Sequence, residues 1–206
     1  MGDKQKQIKF DVLKTKYAEE VASLHVRSVD KGFISLLGEK VVKYLYEGII
    51  VSEHAFGFVV VKNSKVVGFI SCTESVGAIY KYILKKHFFR LALAVLPKMF
   101  RLHNVKNAIE TLLYPRRYSD NSPSIEILSV VVDEQMRMMG LGRRLIEQVL
   151  NESNKRGIKK IKVMVGEPLA ANQFYKNLGF QLIHQHRLHG HLANYYVKSI
   201  GNNKGS

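Results

Sequence analysis

The chain has 206 residues, 46% of them hydrophobic, which is enough for one compact domain with a sizeable core. Its single cysteine, Cys72, excludes an internal disulfide framework and suits a reducing cytoplasm, and no uncharged apolar run approaches the ~20 residues of a membrane span. The formal net charge of +15 calls for phosphates on a cofactor, nucleic acid or an anionic membrane surface, unless it serves only solubility. In chain order, the N-terminal MGDKQKQIKF has neither the apolar core of a signal peptide nor the downstream serine or threonine of a myristoylation signal. IKFDVLK (8–14) alternates as a strand. KYAEEVASLHVRSV (16–29) and GFISLLGEKVVKYLYEGI (32–49) have helical spacing, the second read as one helix through Phe33, Leu36, Leu37, Val41 and Leu45. AFGFVVVK and KVVGFISCT, separated by Asn-Ser, predict a hairpin, and Gly68 inside the second run marks a bulge or a close contact. AIYKYILKKHFFRLALAVLPKMFRLHNVKNAIETLLYP (78–115) is helical, broken near Pro97 and ended by Pro115. SIEILSVVVD is a nearly continuous apolar strand of the kind found in the middle of a sheet. A helix over 140–155, a strand at IKKIKVMV, a helix over 169–177 and strands at FQLIHQHR and ANYYVKS follow. This alternation predicts a mixed α/β sheet, and the tail GNNKGS reads as a disordered end.

The segment VVVDEQMRMMGLGRRLIEQVL (130–150) carries the first chemical signal. An apolar strand ends in a polar bend, and then Arg137, Gly140 and Gly142 precede an amphipathic helix with Leu141, Leu145 and Val149 on one stripe. A helix N-terminus exposes unpaired N–H groups and the positive end of its dipole. Glycines let the preceding backbone approach a ligand, so the junction is an anion-binding concavity. Arg143 and Arg144 in the first turn are disfavoured by the dipole, and a bound polyanion would offset that cost. The P-loop pattern is absent and the Gly-x-Gly-x-x-Gly pattern fails at Leu145. A diphosphate held without either fingerprint points to coenzyme A.

Downstream, AANQFYKNLGF (170–180) supplies a second motif. Together with Arg137-Met138-Met139-Gly140-Leu141-Gly142 it resembles the GCN5-related N-acetyltransferase (GNAT) superfamily. The two motifs cover about 60 residues in the order strand, loop, helix, strand, helix, strand. The resemblance implies a GNAT fold of the α/β (α+β) class: a mixed, mostly antiparallel, V-splayed sheet flanked by helices. One domain would span 1–200, with a helical insertion over about 76–117 between the third and fourth strands and the tail at 201–206. It implies acetyl transfer from acetyl-CoA to an amine by direct attack in a ternary complex. The amides of Arg137, Met138, Met139, Gly140, Leu141, Gly142 and Arg143 would hold the diphosphate. A main-chain N–H among Val130, Val131 and Val132, opened by a bulge, would stabilise the oxyanion. Asn172 would touch the pantetheine arm or brace its helix. Tyr175 takes the position of the acid that protonates the leaving thiolate. An alkylammonium with a pKa of about 10 has no lone pair at neutral pH, so a base is required. Glu126 lies eleven residues before Arg137, the offset of the glutamate base in histone-type members. It sits in an apolar strand, where burial raises a carboxyl pKa. Glu74 is the second choice.

The sequence departs from the family pattern at Pro168, where an asparagine is common, and at Met138 and Met139, whose amides serve as well as others. His184, His186, His189 and His191 suggest a metal through their His-x-His spacing. No carboxylate or cysteine accompanies them, so the expectation is no metal and a wall of the acceptor site or plain surface. The Tyr80–Pro115 insertion, with nine Lys or Arg and one acid from Lys81 to Arg117, could cradle an anionic acceptor or nucleotide sugar, form a dimer surface or touch a membrane peripherally; the expectation is extra helices whose apolar residues pack on the domain, with one or two of the basic residues at the acceptor site. The acceptor expected is a small or sugar-linked amine. A protein lysine or N-terminus is the enzymatic alternative, and acyl-CoA binding or nucleic-acid binding without turnover the non-enzymatic one. No recognised nucleic-acid motif accompanies the charge. A cytoplasmic monomer or homodimer is expected.

Overall fold

The computed structural model describes residues 8–29, 33–99, 124–188 and 191–201. Seven strands form one sheet: β1 (Lys9–Val12), β2 (Ala55–Lys62), β3 (Lys65–Thr73), β4 (Ser124–Val132), β5 (Lys160–Gly166), β6 (Gln181–Leu188) and β7 (His191–Ser199). Their spatial order is β1-β2-β3-β4-β5-β7-β6. Only β4 and β5 run parallel; every other neighbouring pair is antiparallel. The α-helices among the described residues are α1 (Ala18–Ser28), α2 (Phe33–Leu36), α3 (Glu39–Val51), α4 (Val76–Met99), α5 (Leu141–Lys155) and α6 (Ala171–Asn177).

The segment read as one helix over 32–49 is two. Gly38 takes φ 96°, a conformation closed to most side chains, and so divides α2 from α3. The β2–β3 hairpin turns through Asn63 and Ser64, both at positive φ (51° and 63°), which matches the twist of the flanking strands. Gly68 is a close contact: a Cβ there would meet the Val131 carbonyl at 3.2 Å. α4 continues through Pro97 to Met99, and its irregularity lies earlier, at His87 (φ −120°, ψ 16°). The expected end at Pro115 lies outside the described residues.

Two cores sandwich the sheet. On one face α5 sets Leu141, Leu145, Ile146 and Val149 against Val60, Ile70, Cys72, Ile125, Ile127 and Ile161, while α6 adds Tyr175. On the other, α1, α3 and α4 bury Val21, Leu24, Val42, Tyr46, Ile49, Ile79 and Ile83 over Val59, Phe69 and Val131. β4 shows how the sheet serves both. Ile125 and Ile127 face α5, whereas Leu128 and Val131 face the α1–α3–α4 layer. The β3–β4 register jumps from Ser71↔Ser129 to Cys72↔Ile127, leaving Leu128 as an extra residue. That bulge changes the parity of the strand.

A buried polar pair sits in the second core. His25 Nδ1 and the Tyr46 hydroxyl share a 2.7 Å hydrogen bond, with the side chains of Ser71 and Ser129 beside the phenol. Burial pushes the Tyr46 phenol up and pulls His25 down to about 4, so both are neutral near pH 7. The folded His25 therefore refuses a proton that the unfolded chain accepts below its ordinary value of 6.5. Stability should fall as the pH drops from about 6.5 to about 4. Urea unfolding at a series of pH values checks this. His25→Gln should flatten the slope, leaving the smaller contribution of His186, whose pKa is also lowered by burial. Equal slopes in the two proteins would remove His25 as the cause.

Candidate active site

The site begins where β4 and β5 part. Their parallel pairing runs from Ser124↔Lys160 to Ile127↔Val163 and then stops. Beyond it β4 continues to Val132 and β5 to Gly166, each paired only with its outer antiparallel neighbour. The two strand ends splay into a V that starts at the Leu128 bulge. Val130, Val131 and Val132 form its β4 wall. The bulge thus falls just ahead of these valines rather than among them.

At the open end of the V the chain turns into α5. The Asp133 carboxylate accepts from the Gln135 N–H at 3.1 Å, capping a 3-10 turn over Glu134–Met136, and buried Met136 anchors the turn. Met138 then takes φ 62° and Gly140 φ 74°, so the backbone rises into solvent before the helix starts. Met138 is fully exposed. The first bond of the helix is Arg144 N–H to Gly140 carbonyl, at 3.1 Å. Among the described residues no backbone hydrogen bond is donated by the amides of Met138 to Arg143. They form a run of six donors at the positive end of a fifteen-residue helix. Arg137 folds back so that its Nε donates to the Val132 carbonyl at 3.4 Å, and Arg143 is exposed on the first turn. Arg144 instead lies over the Phe10 ring, 4.3 Å from its centroid.

α6 stands next to this array. A Cβ at Gly142 would come within 3.4 Å of the Phe174 ring, so the missing side chain lets the two helices meet. Tyr175 is 3% exposed, ringed by Phe174, Phe180 and Tyr196. Burial first, and then the neighbouring Cys72 thiol, push its phenol up, which keeps it protonated. Cys72 is itself fully buried and its thiol is pushed up by desolvation, the reverse of what a nucleophile needs. Asn172 braces. Its two Nδ2–H donors are shared among the carbonyls of Gly166, Glu167 and Leu169, at 2.9, 2.9 and 2.7 Å. Its Oδ1 accepts from Asn194 Nδ2 at 2.7 Å and from the Tyr196 hydroxyl at 3.1 Å.

Glu126 lies on the other face of the sheet, half-buried in the paired root of the V. Its register partners are Thr73 on β3 and Lys162 on β5. Tyr80, from α4, faces it: burial and then the Glu126 carboxylate push that phenol up to about 12. Glu74, the second candidate base, is exposed at the end of β3, where its N–H donates to the His54 carbonyl at 2.7 Å. Two residues of this face escaped the sequence reading. Lys162 is buried, and it is the one charge inside the apolar run IKVMV, a signal that was available. Tyr80 gave none, because only the docking of α4 brings it to Glu126.

His184 and His186 share a face of β6, their ring centroids 5.7 Å apart, and His184 stacks on Tyr195 at 4.7 Å. Among the described residues no group of three or more His, Cys, Asp or Glu could hold a metal. The side chains of His189 and His191 lie outside the described residues.

The acetyltransferase (GNAT) family model matches residues 27–180. No curated protein matches the sequence. The fold is shared with the ribosomal-protein-S18-alanine N-acetyltransferase of Escherichia coli at 17% identity and TM-score 0.61, over 97% of this chain and 100% of that one. It is shared with Arabidopsis thaliana NAA60 in complex with acetyl-CoA at 14% identity and TM-score 0.62, over 94% and 99%. A GNAT-family acetyltransferase of Streptococcus pneumoniae matches at 15% identity and TM-score 0.59, over 95% and 100%. With the family model covering most of its length, the chain belongs to the GNAT acetyltransferase family. Its members use acetyl-CoA. Among the described residues, no helix is long and apolar enough to cross a membrane.

Because Asn172 ties the β5–α6 turn to β7, Asn172→Ala should strand the buried side chains of Asn194 and Tyr196 and cost about 1–3 kcal/mol. Chemical denaturation measures the loss, and a change within error of zero would show that the brace is dispensable.

Proposed function

We propose that this protein transfers the acetyl group of acetyl-CoA to a primary amine by direct attack, within a ternary complex. The observation that carries the reading is the run of amides from Met138 to Arg143, which donate no backbone hydrogen bond among the described residues, at the mouth of the β4–β5 gap. The array and Arg143 suit a diphosphate. The gap suits an extended thiol arm, whose thioester would then lie beside β4. There a main-chain N–H among Val130, Val131 and Val132 would donate to the oxyanion as it forms.

The two proton carriers sit on opposite faces of the sheet. Glu126, on the α4 side, would take the proton from the incoming ammonium, directly or through water. Tyr175, on the α5 side, stays protonated and would give a proton to the departing thiolate. The ammonium gives one proton to Glu126, its nitrogen bonds to the acetyl carbon, the carbon–sulfur bond breaks and the thiolate takes the Tyr175 proton; the second proton shed by the nitrogen restores the phenol through water, and Glu126 releases its own to solvent. The buried thiol of Cys72 supports transfer without a covalent enzyme intermediate. A small or sugar-linked amine is the acceptor we favour. Tyr80 of α4 stands over Glu126, and Lys162 is buried in register with it, an arrangement closer to a pocket wall than to an open peptide groove. A cytoplasmic location belongs to the same reading.

Acetyl-CoA should raise the melting temperature, and thiol release should depend on added amine; release without amine would indicate a hydrolase instead. Tyr175→Phe should lower kcat by about 10²–10⁴-fold with little change in acetyl-CoA affinity. Equal losses in both would return the tyrosine to a packing role. Glu126→Gln should lower kcat/KM and abolish the acid limb of its pH profile. An unchanged limb would mean that another group is the base.

A further inference from the structure

We propose that the outer side of α4 is a docking surface for an anionic lipid bilayer, on which the helix lies flat. α4 holds to the protein along one line. Ile79 and Ile83 are buried against α3 and the second core, and His87 ends the line. The His87 ring stacks on Tyr44 at 4.4 Å, and its Nε2 lies 3.3 Å from Glu47 Oε2, in ion-pair range though misaligned for a hydrogen bond. The backbone leaves helical geometry at this residue.

The opposite side carries large apolar groups in water. Leu84, Phe88, Phe89 and Leu93 are 47%, 57%, 80% and 79% exposed. The two phenylalanines touch edge to face, so they present one apolar knob. Between them lie Lys81, Lys85, Lys86 and Arg90, all exposed. No aspartate or glutamate occurs from Val76 to Met99.

The mixture selects the occupant. A helix buried in a core would not interleave four cations with its apolar groups, and a merely solvated helix would not expose adjacent phenylalanines. A nucleic-acid surface needs the cations but gives leucines nothing to bury against. A bilayer interface takes both: acyl chains accept the leucine and phenylalanine side chains, and lipid phosphates and carboxylates meet the lysines and arginine. The lack of a membrane-spanning helix among the described residues makes this contact interfacial. The net charge of +15 would draw the protein to such a surface, and the apolar groups of α4 would set which side lands.

The test is co-sedimentation of the full chain, near physiological salt, with vesicles of phosphatidylcholine alone or mixed with phosphatidylserine. The mixed vesicles should retain about tenfold more protein. Phe88→Ser with Phe89→Ser should remove most of that binding while the melting temperature stays unchanged, since both side chains are exposed. Lys85→Glu with Lys86→Glu should do the same. Equal retention on both vesicle types would overturn the proposal. So would full retention of the serine variant, which would leave only unspecific attraction of the basic chain. Self-association in the absence of lipid, seen by sedimentation velocity and lost in the serine variant, would assign the face to a second copy and overturn it as well.

Discussion

The interaction on which this structure turns is the four-residue parallel ladder between β4 and β5. Hydrogen bonds join the two halves of the sheet at Ser124–Ile127 and nowhere farther along β4. A longer ladder would close the V, and a shorter one would leave the halves without a hinge. The Leu128 bulge enforces the limit, because the extra residue shifts the parity of β4 as the pairing ends. The gap is therefore set by main-chain geometry and has tight strands on both flanks to keep it open.

The two cores give the two faces of the sheet different environments. On the α5 side, aromatic packing around Tyr175 excludes water and holds the phenol in its neutral form. On the α4 side, a carboxylate, a phenol and a lysine share a partly buried polar patch. The sheet keeps the Tyr175 phenol and the Glu126 carboxylate on opposite faces. The Met138–Arg143 array lies at the rim of the α5 core, into which only the Leu141 side chain reaches. It stands in solvent at the mouth of the V, where donors left unpaired cost little because water satisfies them. The same chain resolves its excess positive charge locally: Arg144 on Phe10, Arg156 on Phe56, and a separate basic run along α4.

Much of the scaffold was legible in the residues. The period-two runs of the β2–β3 hairpin, the apolar stripe Leu141–Leu145–Val149 and the strand–helix alternation after Ser124 all rest on neighbours within a few residues. The loop before α5 was legible for the same reason, since Gly140 at φ 74° and the orphan amides behind it are local properties of a helix start. Two errors were local competitions that periodicity does not report. Gly38 splits a helical pattern that otherwise continues, and α4 runs through Pro97 while it bends at His87, whose ring is held by α3.

What the sequence by itself determined is the set of elements, their amphipathic faces and the glycine-bearing turn before α5. What only the tertiary structure decided is which faces meet. The length of the β4–β5 ladder, the bulge at Leu128, the His25–Tyr46 bond and the meeting of Tyr80 and Lys162 around Glu126 all join residues far apart in the chain. Register and docking follow from the simultaneous packing of both partners, and neither partner carries that information alone.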